Sequence, residues 1–172
     1  MSFASPHRLS PSSFSRRVDI TIAHPHEADA FSEIALAAKR HLGYPEHWIA
    51  HWCSLLTVTP DFVATHPTYA ARDGQRILGF TALAQCADLL YLEHLWVLPS
   101  AQGRGVGRAL FRRAQQQAED LGFARLEIES DPHAAGFYER MGAERIRTKT
   151  GLLDGQTREL PVFRCRTSHL SE

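Results

Sequence analysis

The chain has 172 residues, of which 44% are hydrophobic, and its 19 Lys and Arg balance 19 Asp and Glu. That length is one ordinary domain, able to bury a core without covalent staples. A balanced charge speaks against a nucleic-acid partner bound through counterion release, and no apolar run approaches the roughly 18–20 residues of a membrane span. Cys53, Cys86 and Cys165 form no C-x-x-C pair, so no zinc or redox motif is expected. They read as three buried small apolar side chains in a reducing compartment, hence a cytoplasmic location.

Residues 1–17, MSFASPHRLSPSSFSRR, are Ser-rich and carry three Arg and no acid. This composition is expected to form a flexible leader, with a targeting segment as the alternative. A single domain is expected over residues 18–168. It opens with a period-two strand at 18–22. A helix follows from Pro25 and Glu27, with Ala30, Ile34, Leu36 and Ala37 as its apolar positions, and Gly43 breaks it. Pro45 suits the first position of a second helix over 45–56. Thr59 caps a short third turn through residue 65. Strands are expected at 68–72 and 77–85 around the turn signal Asp73-Gly74, and at 89–97. A glycine-rich loop then leads into a helix over 105–121, stopped by Gly122. A strand at 125–130, a helix from Asp131-Pro132 to Gly142 and strands at 144–150 and 160–166 around Asp154-Gly155 complete the chain. Hairpins with one β-α-β crossover make a mixed sheet with helices on its faces.

The informative segment is LEHLWVLPSAQGRGVG, residues 92–107. Its glycines let backbone approach a ligand closely, and the following helix start offers free N–H groups to an anion such as a diphosphate. The spacing is neither G-x-G-x-x-G nor a P-loop, because no G-K-[ST] triplet exists. A tight strand-to-helix connection is the plain structural reading of such a loop.

With its context, the segment resembles the GNAT superfamily of N-acetyltransferases. Val97-Leu98-Pro99 followed by Gln102-Gly103-Arg104-Gly105-Val106-Gly107 matches the family's R/Q-x-x-G-x-G/A signature, and Phe137-Tyr138…Gly142-Ala143 matches its later motif. The resemblance implies a GNAT-like α/β fold: a central, mostly antiparallel, splayed sheet of about six or seven strands with about four helices. It implies acetyl-CoA as cosubstrate and direct transfer of the acetyl group to an amine in a ternary complex. A non-catalytic acyl-CoA sensor on the same fold is the alternative. The main chain of Leu95, Trp96 and Val97 would pair with the pantetheine arm, and one of its N–H groups would face the thioester oxygen. Backbone N–H groups from Gln102 through Gly103, Arg104, Gly105, Val106 and Gly107 would hold the pyrophosphate, and the side chains of Arg104 and Arg108 could reach CoA phosphates. His133 stands where many relatives carry an Asn that bonds the pantetheine.

Tyr138 matches the family tyrosine near the thioester sulfur, where a phenol can protonate a leaving thiolate. Strict alternation places Tyr91, Glu93, Leu95 and Val97 on one face of the strand and Leu92, His94 and Trp96 on the other. Glu93 is the first candidate for the base, or for binding the amine, and His94 the second. On the acceptor side, the loop between the first two helices offers His41 and Tyr44. Trp48 and Trp52 either wall the acceptor or seal the helices onto the sheet. His47 and His51 are four apart, but without H-E-x-x-H no metal site is expected. The acceptor is expected to be a small-molecule or peptidyl amine, with a homodimer through the last strand pair as a further implication of the resemblance.

Overall fold

The computed structural model describes residues 18–167. The leader read at residues 1–17, and residue 168, lie outside the described residues. Seven strands form one sheet: β1 (Asp19–Ile22), β2 (Thr68–Asp73), β3 (Arg76–Cys86), β4 (Leu89–Val97), β5 (Arg125–Glu129), β6 (Glu144–Leu153) and β7 (Gln156–Arg166). Five α-helices accompany them: α1 (Ala28–His41), α2 (Glu46–Leu56), α3 (Pro60–Thr65), α4 (Val106–Asp120) and α5 (Ala135–Arg140). The strand order is β1-β2-β3-β4-β5-β7-β6. Every neighbouring pair is antiparallel except β4 and β5, which run parallel across the α4 crossover.

The helices form where an apolar stripe has something to cover. In α1 the buried positions are Ala28, Phe31, Ile34, Ala35, Ala38 and Lys39, a stripe rotated from the expected Ala30, Leu36 and Ala37. The large Phe31 decides the rotation by stacking on Phe80 of the sheet at 4.7 Å. In α3 the Thr59 hydroxyl accepts from Phe62 N–H at 3.1 Å, as a cap should. The last hairpin is longer than its sequence signals suggested. Asp154 and Gly155 both take positive φ, the two-residue turn that matches strand twist. Pairing therefore continues up to the turn, Leu153 opposite Gln156, carrying Gly151 and Pro161 inside strands that propensity alone would have cut short.

Helices α1, α2 and α3 pack on one face around Phe31, Ile49, Trp52 and Phe80. On the other face, α4 and α5 cover Leu83, Leu92, Phe111, Ile128 and Phe163. A smaller cluster joins Leu78, Val106 and Leu110. Of the cysteines, only Cys165 is buried; Cys53 and Cys86 are exposed. The expectation of three buried cysteines is corrected: Cys53 lies on the solvent side of amphipathic α2, and Cys86 ends its strand.

A bulge breaks the alternation expected for β4. Ala82 pairs with His94 but Leu83 pairs with Leu92, so Glu93 is an extra residue without an opposite partner on β3. Leu92 therefore shares the α4 face with Leu95 and Val97, while Tyr91 shares the α1 face with His94 and Trp96. Strict period-two counting placed Leu92 and Tyr91 the other way round.

Gly79 lies opposite Val97 on this strand pair. A Cβ there would come 2.5 Å from the Trp96 carbonyl oxygen and 3.1 Å from Val97 Cα. Both are backbone atoms and cannot rotate away. Gly79→Ala is expected to cost about 2–3 kcal/mol through the forced separation of β3 and β4. Gly151→Ala, with nothing within 4 Å of the new methyl, is expected to stay within about 0.5 kcal/mol. Urea unfolding of the two variants checks this.

Candidate active site

The parallel strands β4 and β5 register at a single position, Tyr91 with Glu127. Beyond it they part. Leu95, Trp96 and Val97 stay paired to β3 through Thr81, Phe80 and Gly79, while β5 turns away at Asp131-Pro132. The parting opens a cleft of about 510 Å³, lined on the β4 side by Leu92, Glu93, Leu95, Trp96 and Val97. Glu129, Ser130, Asp131 and His133 line the opposite wall, with Phe137 and Tyr138 from α5. A strand with partners on one side only has main-chain groups to offer on the other.

At one end of the cleft stands the glycine loop. Gly103 and Gly105 take φ of 73° and 80°, conformations that side chains resist, and the space beside each is open. Gly105 is the N-cap of the 15-residue α4 and no side chain caps it. Among the described residues the first-turn N–H groups and the positive helix end therefore face the loop without a side-chain cap. A Cβ at Gly107 would make an ordinary van der Waals contact with Phe137 at 3.4 Å. Gln102, Gly103, Gly105, Gly107 and Arg108 line the cleft, whereas Arg104 is exposed beside it. Val106 sends its side chain into the core, so only its main chain can serve a ligand.

Tyr138 lines the cleft from α5 while its ring is held by Phe111, Phe137 and Phe163, with centroids 5.1–6.0 Å away. Burial, and secondarily Cys165, push its phenol well above the ordinary tyrosine range. The group keeps its proton at neutral pH, so its hydroxyl has a hydrogen to donate. Glu93, on the bulge, is exposed at the cleft wall. His94 points to the other face, among Phe62, Phe80 and Trp96. Burial, and then His66, pull its imidazole down to about 4. It is a neutral core residue and leaves the list of bases.

The side of the cleft toward α1 and α2 holds a cluster that the sequence did not announce. Asp131 is bonded by Lys39 Nζ at 2.5 Å, Tyr44 Oη at 2.9 Å, His133 N–H at 3.0 Å and His133 Nδ1 at 3.0 Å. Arg158 lies 3.8 Å from the same carboxylate and donates to Tyr44 Oη at 3.2 Å. Burial alone would raise the Asp131 carboxyl; Lys39 and then His133 more than offset it and hold the carboxyl below its usual range. The Tyr44 phenol is pushed up to about 12 by burial and by Asp131. Lys39 Nζ sits 4.2 Å over Trp52 and the Arg158 guanidinium 4.5 Å over the same ring. The chain's own cations thus occupy the aromatic faces, and Trp52 seals α2 to the sheet. His41 is exposed at the end of α1, away from the cleft lining. Of the two acceptor candidates, only Tyr44 is brought to the site, through Asp131 and His133. Asp131 was legible as a helix cap; its pairing with Lys39, 92 residues away, was not.

The sequence pattern of the acetyltransferase (GNAT) family matches residues 28–143, and the chain belongs to that family. An uncharacterized N-acetyltransferase of Escherichia coli K12, YjgM, is 31% identical over 80 residues, 43% of this chain. That match spans 48% of the relative's length. Among solved structures, a GCN5-related N-acetyltransferase from Rhodopseudomonas palustris superposes with a TM-score of 0.74 at 20% identity, over 87% of this chain and 95% of that one. PaiA N-acetyltransferase from Thermoplasma acidophilum, in complex with coenzyme A, does so with 0.69 at 15% identity, over 87% and 99%. At these identities the likeness is one of fold, and it bears out the splayed, mostly antiparallel sheet. Among the described residues no helix is long and apolar enough to cross a membrane.

Removing the ammonium from the Asp131 cluster leaves a buried carboxylate short of its main counter-charge. Lys39→Met is expected to lose about 3 kcal/mol. In the parent, the depressed Asp131 contributes stability that is full above its unfolded value of about 3.9 and fades as pH falls through the folded value. Thermal melts from pH 7 to pH 3 should show the parent losing its advantage over Lys39→Met toward the acid end.

Proposed function

We propose that this chain is an acetyl-CoA-dependent N-acetyltransferase that moves the acetyl group directly from the thioester to a small-molecule or peptidyl amine. The observation that carries this is the parted seam between β4 and β5. It has an uncapped glycine-lined helix start at one end and a protonated tyrosine in its wall. In this reading the N–H groups at Gly103 to Gly107 take the pyrophosphate, with Arg108 beside them. The unpaired edge of Leu95, Trp96 and Val97 holds the pantetheine arm. A main-chain N–H of that edge donates to the carbonyl oxygen as it gains charge. Tyr138 presents its hydroxyl hydrogen to the departing sulfur, which takes up the proton. Glu93 draws the acceptor's ammonium to the cleft wall. Acetyl-CoA would supply the activated acyl carbon; the chain supplies alignment and proton handling. The complex of PaiA with coenzyme A lends this support.

The test is a melt with and without acetyl-CoA, followed by thiol release against a panel of amines. A ligand at a hundred times its Kd should add about 2.7 kcal/mol. Tyr138→Phe is expected to keep the shift in Tm and lose about 100-fold in kcat. No shift at saturating acetyl-CoA would overturn the cleft as a CoA site. A shift without thiol release would favour an acyl-CoA sensor.

A further inference from the structure

His133 fits a role other than a polar contact in the cleft. Its Nδ1 lies 3.0 Å from Asp131 Oδ1 and 3.0 Å from Tyr44 Oη. The carboxylate can only accept, so Nδ1 must carry a hydrogen. Tyr44 does not displace that assignment: its hydroxyl donates to Asp131 and accepts from Arg158. A neutral imidazole with its proton on Nδ1 has its lone pair on Nε2. The side chain is 51% exposed while Asp131 is 10% exposed, and both residues line the cleft. A carboxylate anchored by Lys39, Tyr44 and the His133 N–H therefore fixes the ring's tautomer, leaving the free nitrogen to the exposed edge. In hydrolytic triads, this is how a carboxylate prepares a histidine to take a proton.

We propose that His133, oriented by Asp131, is the base that deprotonates the acceptor amine, with Glu93 binding the ammonium. This rests on the acetyltransferase reading. The ammonium gives one proton to His133 Nε2, which later returns it to solvent. The freed nitrogen lone pair bonds to the carbonyl carbon, and the carbon–sulfur bond breaks with its electrons going to sulfur. Tyr138 protonates that sulfur, and the second proton leaving nitrogen restores Tyr138. The products are an amide, a thiol and one released proton. Asp131 and Tyr44, from the α1–α2 loop, touch the ring, and Lys39 from α1 and Arg158 from β7 lie against Asp131 in turn. Glu93, Glu129, Arg108 and Arg140 share the cleft.

Two measurements test the proposal. Long-range proton–nitrogen spectra of histidine-labelled protein, assigned by the signals lost in His133→Asn, should show the Nδ1–H tautomer. The Nε2–H tautomer overturns the proposal. Second, kcat/KM is followed against pH with putrescine, glycinamide and an alanyl tripeptide as acceptors. His133→Asn can keep a bond to Asp131 but cannot take the proton. It should lose about 100-fold in kcat and the acidic limb of the profile, while its melt still responds to acetyl-CoA. Added imidazole should restore activity to His133→Ala. His133→Asn with an intact acidic limb and only a raised KM for acetyl-CoA overturns the proposal and leaves the acetyltransferase standing. Loss of that limb in Glu93→Gln alone does the same. A parent that melts higher with acetyl-CoA but releases no thiol with any amine overturns the acetyltransferase reading, and this proposal with it.

Discussion

Beyond Tyr91 and Glu127, the two parallel strands at the centre of the sheet no longer pair with each other. Unpaired strand edges inside a domain are costly, and the cost is contained by strong pairing on either side: β3 with β4 and β5 with β7 remain registered along the parted length. The bulge at Glu93 adds the local twist that turns β4 away. Sheet edges, glycine loop and α5 tyrosine all acquire their meaning from that opening.

The opening also needs a pin, and Asp131 supplies one. It stands where β5 gives way to the turn before α5, and it ties that point to α1 through Lys39, to the first inter-helix loop through Tyr44 and to β7 through Arg158. Buried ion pairs rarely add much net stability, because both charges must leave water. Their geometry is nonetheless demanding. Here the demand fixes the distance between the wall that carries His133 and the α1–α2 pair.

What could be read from the residues was what is local in the chain. The turns, the helix caps and the glycine loop each depend on a few neighbours, and they lie where the sequence put them. The faces of β4 were misassigned at Tyr91 and Leu92, ahead of the bulge, since alternation assumes that no extra residue intervenes. Nothing around Glu93 marks it as the extra one. His41 and Tyr44 looked equivalent in the loop; only Tyr44 finds a carboxylate, and that carboxylate comes from the far end of the chain. The tryptophans were ambiguous because the cations that cover them, Lys39 and Arg158, lie on different elements.

The last hairpin has a consequence for the order in which this molecule can be assembled. Tyr44 and Arg158 are 114 residues apart, and β7 inserts between β5 and β6 instead of adding to an edge. On a ribosome, the helices, β1 to β4 and the glycine loop emerge first, yet β5 has no antiparallel neighbour until the final strand arrives. Such long-range closure is slow and leaves hydrophobic surface waiting. Completion of the hairpin is therefore the step that gives β5 its antiparallel neighbour and Tyr44 its Arg158.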